Sequence, residues 1–255
     1  MICLLGPEIR VDLQRKLASP MEFIAENAAA LVFLCVALAG AGRASTAMAE
    51  GSDFAGRFLL AFFCMGAVQT VPRMVTDEPG SAVLEQLCMS KIPLWRIALA
   101  RDVAGAIMFV PVASLLAAVA SAITGVSLRL PSAGAVAPIV MMRLGMLGPG
   151  FALAAVALLN RRSGPLIALA STGMLALVLA VPASAIAGPI ALAFPYTAWQ
   201  PHVLGPAGAN LIGAVSPVLH VVAACISSLV YLAAGILTFN WAFRRAVATG
   251  TLAKW

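Results

Sequence analysis

Long apolar runs separated by short charged segments limit this chain more than any other feature. Hydrophobic residues make up 62% of the sequence, charged residues make up 10%, and the mean hydropathy is +1.01. Soluble domains are only about 45–50% apolar. A helix needs about 20 mainly apolar residues to cross a bilayer, so the 255 residues leave room for about six crossings and little folded soluble structure. The sequence therefore predicts an all-α integral membrane protein.

Six windows are suitable for these crossings. The predicted spans are 21–42, 54–74, 103–125, 141–160, 165–182 and 217–239. In the fourth span, we expect Arg143 near the outer end, where its long side chain can snorkel to the interface. Three glycines in that span, Gly145, Gly148 and Gly150, should allow either the close approach of a neighbouring helix or a bend. Residues 19–241, which include the connections, form the predicted six-span domain.

Three segments outside the spans complete the predicted architecture. Residues 1–18 form a predicted amphipathic interfacial helix, because leucine or isoleucine recurs at positions 5, 9, 13 and 17. Residues 183–214 are apolar but interrupted by prolines, each of which removes a backbone donor. We therefore expect a re-entrant or interfacial segment on the outer side, and no additional crossing. Residues 242–255 form a predicted basic tail.

The basic residues predict the orientation. With the N-terminus inside, the outer segments carry Arg43, Arg57, Arg129 and Arg143. The cytoplasmic segments then carry the larger set: Arg10, Arg15, Lys16, Arg73, Lys91, Arg96, Arg101, Arg161, Arg162, Arg244, Arg245 and Lys254. Because cytoplasmic loops are enriched in Lys and Arg, both termini are predicted to be cytoplasmic. The same residues are too scattered to form the basic face that nucleic acid requires.

Residues 77–101, DEPGSAVLEQLCMSKIPLWRIALAR, form a charge-rich segment between two apolar runs. The segment must leave the hydrocarbon, because charges there cost several kcal/mol unless they are paired or hydrated. Its apolar residues Val83, Leu84, Leu87 and Cys88 recur at helical spacing. A polar-faced helix between two spans is what a membrane subunit presents to a soluble partner. The alternative is a connector that lies on the membrane surface without a partner.

The same segment contains Glu78, Leu84-Glu85-Gln86-Leu87, Ser90, Ile92-Pro93 and Trp95-Arg96. In register, this series resembles the coupling-helix signature of type-2 ABC exporter permeases, whose usual form is E-x-E-x-G-T-L-E-Q-L-L-x-S-P-I-P-x-W-R. The chain departs from the signature at Ala82, Val83 and Lys91, where the family has Gly, Thr and Pro.

The resemblance implies a coupling helix at about 77–96 that docks on a separate soluble ABC ATPase subunit, which binds ATP and Mg²⁺. It also implies a second permease subunit, identical or paralogous, and the cytoplasmic membrane of a bacterium. The haem-exporter permease of cytochrome c maturation is a close look-alike, because L-E-Q-L, S-x-I-P-L and a basic turn after the fourth span occur there too. The implied ATPase contacts are Glu78, Leu84, Glu85, Gln86, Leu87, Ser90, Pro93 and Arg96.

The sequence contains no recognisable catalytic, cofactor or metal motif. It lacks a G-x-x-x-x-G-K-[ST] run, and no zinc-type spacing surrounds its two histidines. ATP hydrolysis is therefore expected in a partner, and this chain is predicted not to be an enzyme. A proton-driven transporter usually needs buried carboxylates, and the candidates here, Glu22, Glu26 and Asp102, are all expected near span ends. A membrane-embedded enzyme and a scaffold without transport are the alternatives from other classes.

Several side chains within the spans are candidates for particular roles. Phe58, Phe62 and Met65 form a ridge at helical spacing that, with Gln69, is a candidate translocation pathway for an amphiphilic or lipid-like substrate. Helix packing is the alternative role for the ridge. His220 is expected to be an ordinary hydrogen-bonded histidine. The polar residues predicted to bond between helices or to cap helix ends are Gln69, Arg143, Asn160 and Asn240.

Overall fold

The computed structural model describes residues 48–76, 93–124, 133–160, 163–180, 194–204 and 217–249, with isolated positions 14, 21, 28, 32, 35 and 36. Within these ranges the chain forms six α-helices and one 3-10 turn, and no strand. The predicted all-α class is confirmed for this part of the chain. The helices are α1 (Met48–Thr76), α2 (Leu94–Thr124), α3 (Val136–Leu159), α4 (Gly164–Ala180), α5 (Pro195–Leu204) and α6 (Pro217–Ala248), and the 3-10 turn Ala133–Ala135 precedes α3.

Four of these helices are long and apolar enough to cross a membrane. The stretches with this property are Gly56–Thr76, Leu94–Ile123, Val136–Leu159 and Val218–Ala248, which correspond to the second, third, fourth and sixth predicted spans. Helix α4, in the fifth predicted span, has 17 residues, or about 25 Å of helix. The first predicted span and the predicted interfacial helix at 1–18 fall almost entirely outside the described residues.

Helices α1, α3 and α6 run in the same direction. Along α3, Gly145, Gly148 and Phe151 meet Ser228, Tyr231 and Phe239 of α6 in ascending order. On its other side, Arg143 meets the Phe63 carbonyl of α1, and Gly150 meets the Val68 carbonyl. Helix α2 runs the opposite way along α1, because Asp102 lies beside Thr70 and Phe109 lies beside Phe62.

The core lies around α3, where small residues bring backbones together. A Cβ atom on Gly150 would fall 2.9 Å from the Val68 carbonyl oxygen, and one on Gly145 would fall 2.5 Å from the Pro195 Cβ. The close approach predicted for Gly145, Gly148 and Gly150 is therefore confirmed. Helices α2 and α6 lie further out, since 22% and 17% of their apolar windows are buried, against 61% for α1 and 56% for α3.

The short helix α5 lies against the ends at which α1, α3 and α6 begin. The Tyr196 hydroxyl donates a hydrogen bond to the Arg57 carbonyl at 3.2 Å. Trp199 Nε1 donates to Ser228 Oγ at 2.9 Å. The remainder of the predicted re-entrant segment, 183–193 and 205–214, lies outside the described residues. Its position relative to a membrane stays a prediction.

Four long helices, α1, α2, α3 and α6, extend beyond the predicted spans; α3 begins at Val136, five residues before the predicted start at 141. Helix α2 begins at Leu94 and not at 103, because Leu94, Ile97 and Ala98 already pack in the core while Arg96 faces outward. Helix α6 continues to Ala248, so the first part of the predicted basic tail is helical; Ala242 and Ala246 are buried there, whereas Arg244 and Arg245 are exposed. Helix α1 begins at Met48, six residues before the predicted start.

Candidate functional site: a buried ion-pair network

Arg143 of α3 and Asp102 of α2 form a buried ion pair. Arg143 Nη2 donates to Asp102 Oδ1 at 2.6 Å, and Nε donates to Oδ2 at 3.0 Å. The two side chains are only 9% and 3% exposed. Paired N–H···O bonds of this kind combine strong electrostatic attraction with a fixed geometry. The contact therefore fixes both the distance and the relative rotation of α2 and α3 at this level.

The guanidinium group of Arg143 also reaches α1. Its Nη1 donates to the Phe63 carbonyl, and its central carbon lies 4.2 Å from the centroid of the Phe63 ring. Thr70 donates its hydroxyl to the Gly66 carbonyl at 2.8 Å, and its oxygen lies 3.5 Å from Asp102 Oδ1. One arginine thus joins three helices. We refer to Arg143, Asp102, Phe63 and Thr70 as the ion-pair network.

Local packing explains how these charges are accommodated. Gly66 lies beside the arginine, where a Cβ atom would be 3.7 Å from Nη1. The carboxylate neutralises the guanidinium, and the carbonyl takes a further N–H group. An unpaired charge in such a place is expensive to bury, so the loss of one partner from a buried pair typically costs about 3–5 kcal/mol. The buried pair is therefore stable only while both Arg143 and Asp102 are present.

The orientation expected for the Arg143 side chain was wrong. Its side chain does not snorkel to an outer interface but turns inward to Asp102. Helix α2 begins at Leu94, which places Asp102 about 12 Å along the helix; the expectation that Asp102 lies near a span end stays a prediction. The prediction that Arg143 makes a polar contact between helices is confirmed. The sequence does not indicate that these two residues pair, because they are 41 positions apart.

Two of the implied ATPase contacts lie at the start of α2. Pro93 and Arg96 are exposed, and Arg96 N donates to the Pro93 carbonyl at 2.9 Å, which closes the first turn. The Arg96 guanidinium carbon lies 5.3 Å from the Trp95 ring centroid. Arg96 precedes Asp102 by six residues in α2, so the two are about 9 Å apart along the helix axis. The implied contacts that lie outside the described residues are Glu78, Leu84, Glu85, Gln86, Leu87 and Ser90.

The candidate pathway ridge packs on α2 in this chain. Phe58 is buried and stacks on Phe62, with ring centroids 6.3 Å apart, and the Phe62 centroid lies 5.8 Å from that of Phe109. Met65 is buried in the core and Gln69 is half-buried. Packing accounts for these contacts. A role of the ridge in translocation stays a prediction.

A second polar cluster joins α5 to α6. His202 Nε2 and His220 Nδ1 lie 3.0 Å apart, within hydrogen-bond distance. The prediction of a hydrogen-bonded His220 is confirmed, although its partner, His202, was not anticipated. Burial lowers the pKa of His202 below its ordinary value. Across the part of the chain that the structure describes, no group of three or more His, Cys, Asp or Glu residues is arranged to hold a metal ion.

Comparison with protein-family models, with characterised proteins and with solved structures yields no match. The length and apolar composition of the described helices give the class of protein. The chain is a helical membrane protein, with four described helices able to cross a bilayer and a buried ion-pair network joining three of them.

Proposed function

We propose that this chain is the permease subunit of an ATP-driven type-2 ABC exporter, and that it moves an amphiphilic or lipid-like substrate across a bacterial cytoplasmic membrane. The proposal starts from the coupling-helix resemblance at about 77–96. The observation that carries it further is the continuity of α2. The last residues of the resembling segment, Pro93 to Arg96, lead directly into a helix that reaches Asp102 and the ion-pair network.

This continuity supports a mechanism of force transmission. When the ATPase subunit closes on ATP, it pushes the segment 77–96. From Leu94 onward, a single helix of 31 residues transmits that displacement. The displacement reaches α1 and α3 at Arg143, which holds both Asp102 and the Phe63 carbonyl. Helices α1, α3 and α6 then act as one closely packed unit, against which α2 turns between inward-open and outward-open states.

The helix directions support a cytoplasmic position for the segment 77–96. The ends of α1 and α6 and the start of α2 lie on the same side of the bundle. That side carries Arg73, Arg96, Arg244 and Arg245. Cytoplasmic segments are enriched in arginine and lysine. In this orientation the C-terminus is cytoplasmic, and α5 lies at the outer end.

The same directions support a re-entrant segment at 183–214. Because α3 and α6 are parallel, the chain between them must return across the bundle once, and α4 provides that return. Helix α5 has ten residues, about 15 Å, which is too short for a further crossing of a hydrocarbon core of about 30 Å.

The partners follow from the proposal. A soluble ABC ATPase supplies the ATP and Mg²⁺ site, and a second permease subunit completes the transporter. Helices α2 and α6 have extensive apolar surface that this single chain leaves uncovered. Lipid or the second subunit would cover it. The proposed transporter requires no nucleic acid.

The test is whether a soluble ABC ATPase co-purifies with this chain, followed by transport-coupled ATP hydrolysis in proteoliposomes. Leu84→Ala and Glu85→Ala should each weaken ATPase binding by roughly thirtyfold, as expected for about 2 kcal/mol at an interface anchor. Lys91→Ala is the matched control and should be nearly silent, because exposed charges at an interface rim contribute little affinity.

Three other outcomes would overturn the proposal or redirect it. If no ATPase co-purifies, a membrane-embedded enzyme or a scaffold is the better description. If Lys91→Ala abolishes binding and Glu85→Ala does not, the assigned docking face is wrong. If haem stimulates ATP hydrolysis and lipid does not, the haem-exporter type of permease replaces the lipid exporter.

A further inference from the structure

The contact between α5 and α6 depends on two imidazole rings. His202 Nε2 faces His220 Nδ1 at 3.0 Å, and the ring centroids are 5.1 Å apart. Trp199, one turn before His202, packs its ring at 5.7 Å from the imidazole and donates its N–H to Ser228. The histidine pair and the tryptophan bond together hold α5 on the first part of α6.

The stretch of chain that contains both histidines has few other ionisable side chains. From Ser163 to Phe243 the sequence contains no Asp, Glu, Lys or Arg. The remaining ionisable groups in that stretch are tyrosines and a cysteine, which are neutral at and below neutral pH. The two histidines are therefore the only side chains there that can become positive in mildly acidic solution.

The hydrogen bond between the rings survives when the pair binds one proton, but it is lost when the pair binds two. In the neutral pair, one ring donates its N–H to the lone pair of the other. A first proton can bind the outward nitrogen of the donor ring and leave this bond intact. A second proton must occupy the facing lone pair, so that two N–H groups and two positive charges meet at the contact. The bond is then replaced by repulsion.

We propose that His202 and His220 form a proton-operated latch, which holds α5 on α6 at neutral pH and releases it in mildly acidic solution. The latch does not depend on the proposed transport function. In the orientation proposed above it would lie at the outer end of the bundle and respond to the external pH.

The direction of the pH dependence follows from burial. The pKa of His202 is lowered because the packed structure removes water from its imidazole. A histidine of this kind stabilises the packed state above its ordinary pKa of about 6.5, and it loses that contribution as the pH falls. Acid therefore favours release.

The helices of the bundle also carry other ionisable groups. Helix α3 contributes only Arg143, which is already paired with Asp102. On α5 itself, Tyr196 donates to the Arg57 carbonyl. The other ionisable residues on α1 and α6 are Glu50, Asp53, Arg57, Cys64, Arg73, Cys225, Tyr231, Arg244 and Arg245.

The test is hydrogen–deuterium exchange of the full chain in nanodiscs between pH 8 and pH 5, corrected for the intrinsic pH dependence of exchange. Peptides that cover α5 should lose protection by about tenfold or more at the acidic end. Peptides from the middle of α3 should stay protected throughout. His202→Gln and His220→Gln, which retain polar groups but do not titrate, should each flatten the response of α5.

Trp199→Phe is the matched control, because it removes a contact between the same two helices that does not titrate. It should loosen α5 at every pH and leave the pH response in place. The latch is refuted if wild-type α5 is equally protected at both ends of the pH range. It is also refuted if both glutamine variants keep the wild-type response. The wild-type profile and the second variant decide the question if one variant fails to fold.

Discussion

Gly148 of α3 and Gly235 of α6 lie backbone against backbone: a Cβ atom on Gly235 would fall 2.7 Å from the Gly148 Cα. Two parallel helices can approach this closely only where neither carries a side chain. In lipid, helix association depends on such van der Waals packing, since apolar side chains gain little by leaving a hydrocarbon solvent. The pair therefore connects α6 to the core of the bundle.

Gly148→Ala should destabilise the protein by about 1–3 kcal/mol, because the added methyl group would meet the Tyr231 backbone, which cannot rotate away. The matched control is Gly173→Ala in α4, where a Cβ atom meets nothing within 4 Å. That variant should be neutral or stabilised by up to about 1 kcal/mol through helix propensity. Unfolding in mixed detergent measures both. Equal stability of the two variants would contradict the packing described here.

Breaking the ion-pair network should be more harmful than removing it. Asp102→Leu and Arg143→Met should each cost about 3–5 kcal/mol, because each leaves a buried charged partner unpaired. The double variant Asp102→Leu with Arg143→Met should recover much of that loss. A double-mutant cycle on unfolding free energies gives the coupling. Strictly additive losses would show that the two residues act independently.

Thr70→Val provides a control for this cycle. The Thr70 hydroxyl donates within its own helix, to Gly66, and only approaches the carboxylate. Loss of the hydroxyl should lower the free energy of unfolding by no more than about 1 kcal/mol, the usual net contribution of one hydrogen bond.

Trp199→Phe and Ser228→Ala should each destabilise the contact between α5 and α6 by about 1 kcal/mol, because they remove the two ends of one buried hydrogen bond. The double variant should destabilise this contact by clearly less than the sum of the two single effects. Local hydrogen exchange in α5 is the measurement. Full additivity would mean that the bond does not hold α5 in solution.

The proposed orientation predicts which positions face the cytoplasm. In a variant without native cysteines, Ser90→Cys and Thr249→Cys should react with a membrane-impermeant thiol reagent only after lysis. Ser127→Cys, in the predicted outer connection, should react in intact cells. Labelling of Ser90→Cys or Thr249→Cys in intact cells would contradict the proposed orientation.

Much of the fold could be predicted from the sequence. Four of the predicted spans coincide with helices that are long and apolar enough to cross a membrane. The glycines of α3 indicated close helix contacts before their partners were known. These successes have one physical cause: the length and hydropathy of a run decide whether it can cross hydrocarbon, and both are local properties.

Helix starts were less predictable, because a charge can lie inside a helix when tertiary structure neutralises it. Arg101 and Asp102 suggested that the third span begins at 103. Helix α2 in fact begins at Leu94. The charge on Asp102 is compatible with the buried position because Arg143 arrives from another helix. Similarly, α6 continues past Phe239 because its buried alanines and exposed arginines keep a helical period.

The sequence by itself determined that this is a helical membrane protein, where most of its spans lie, and which segment resembles a coupling helix. Only the tertiary structure decided that Arg143 pairs with Asp102 and the Phe63 carbonyl, and that His202 meets His220. The reason is physical. Hydropathy is a property of neighbouring residues along the chain, whereas a buried charge or imidazole contacts whatever partner lies close in space, at a sequence separation of 41 positions in one case and 18 in the other.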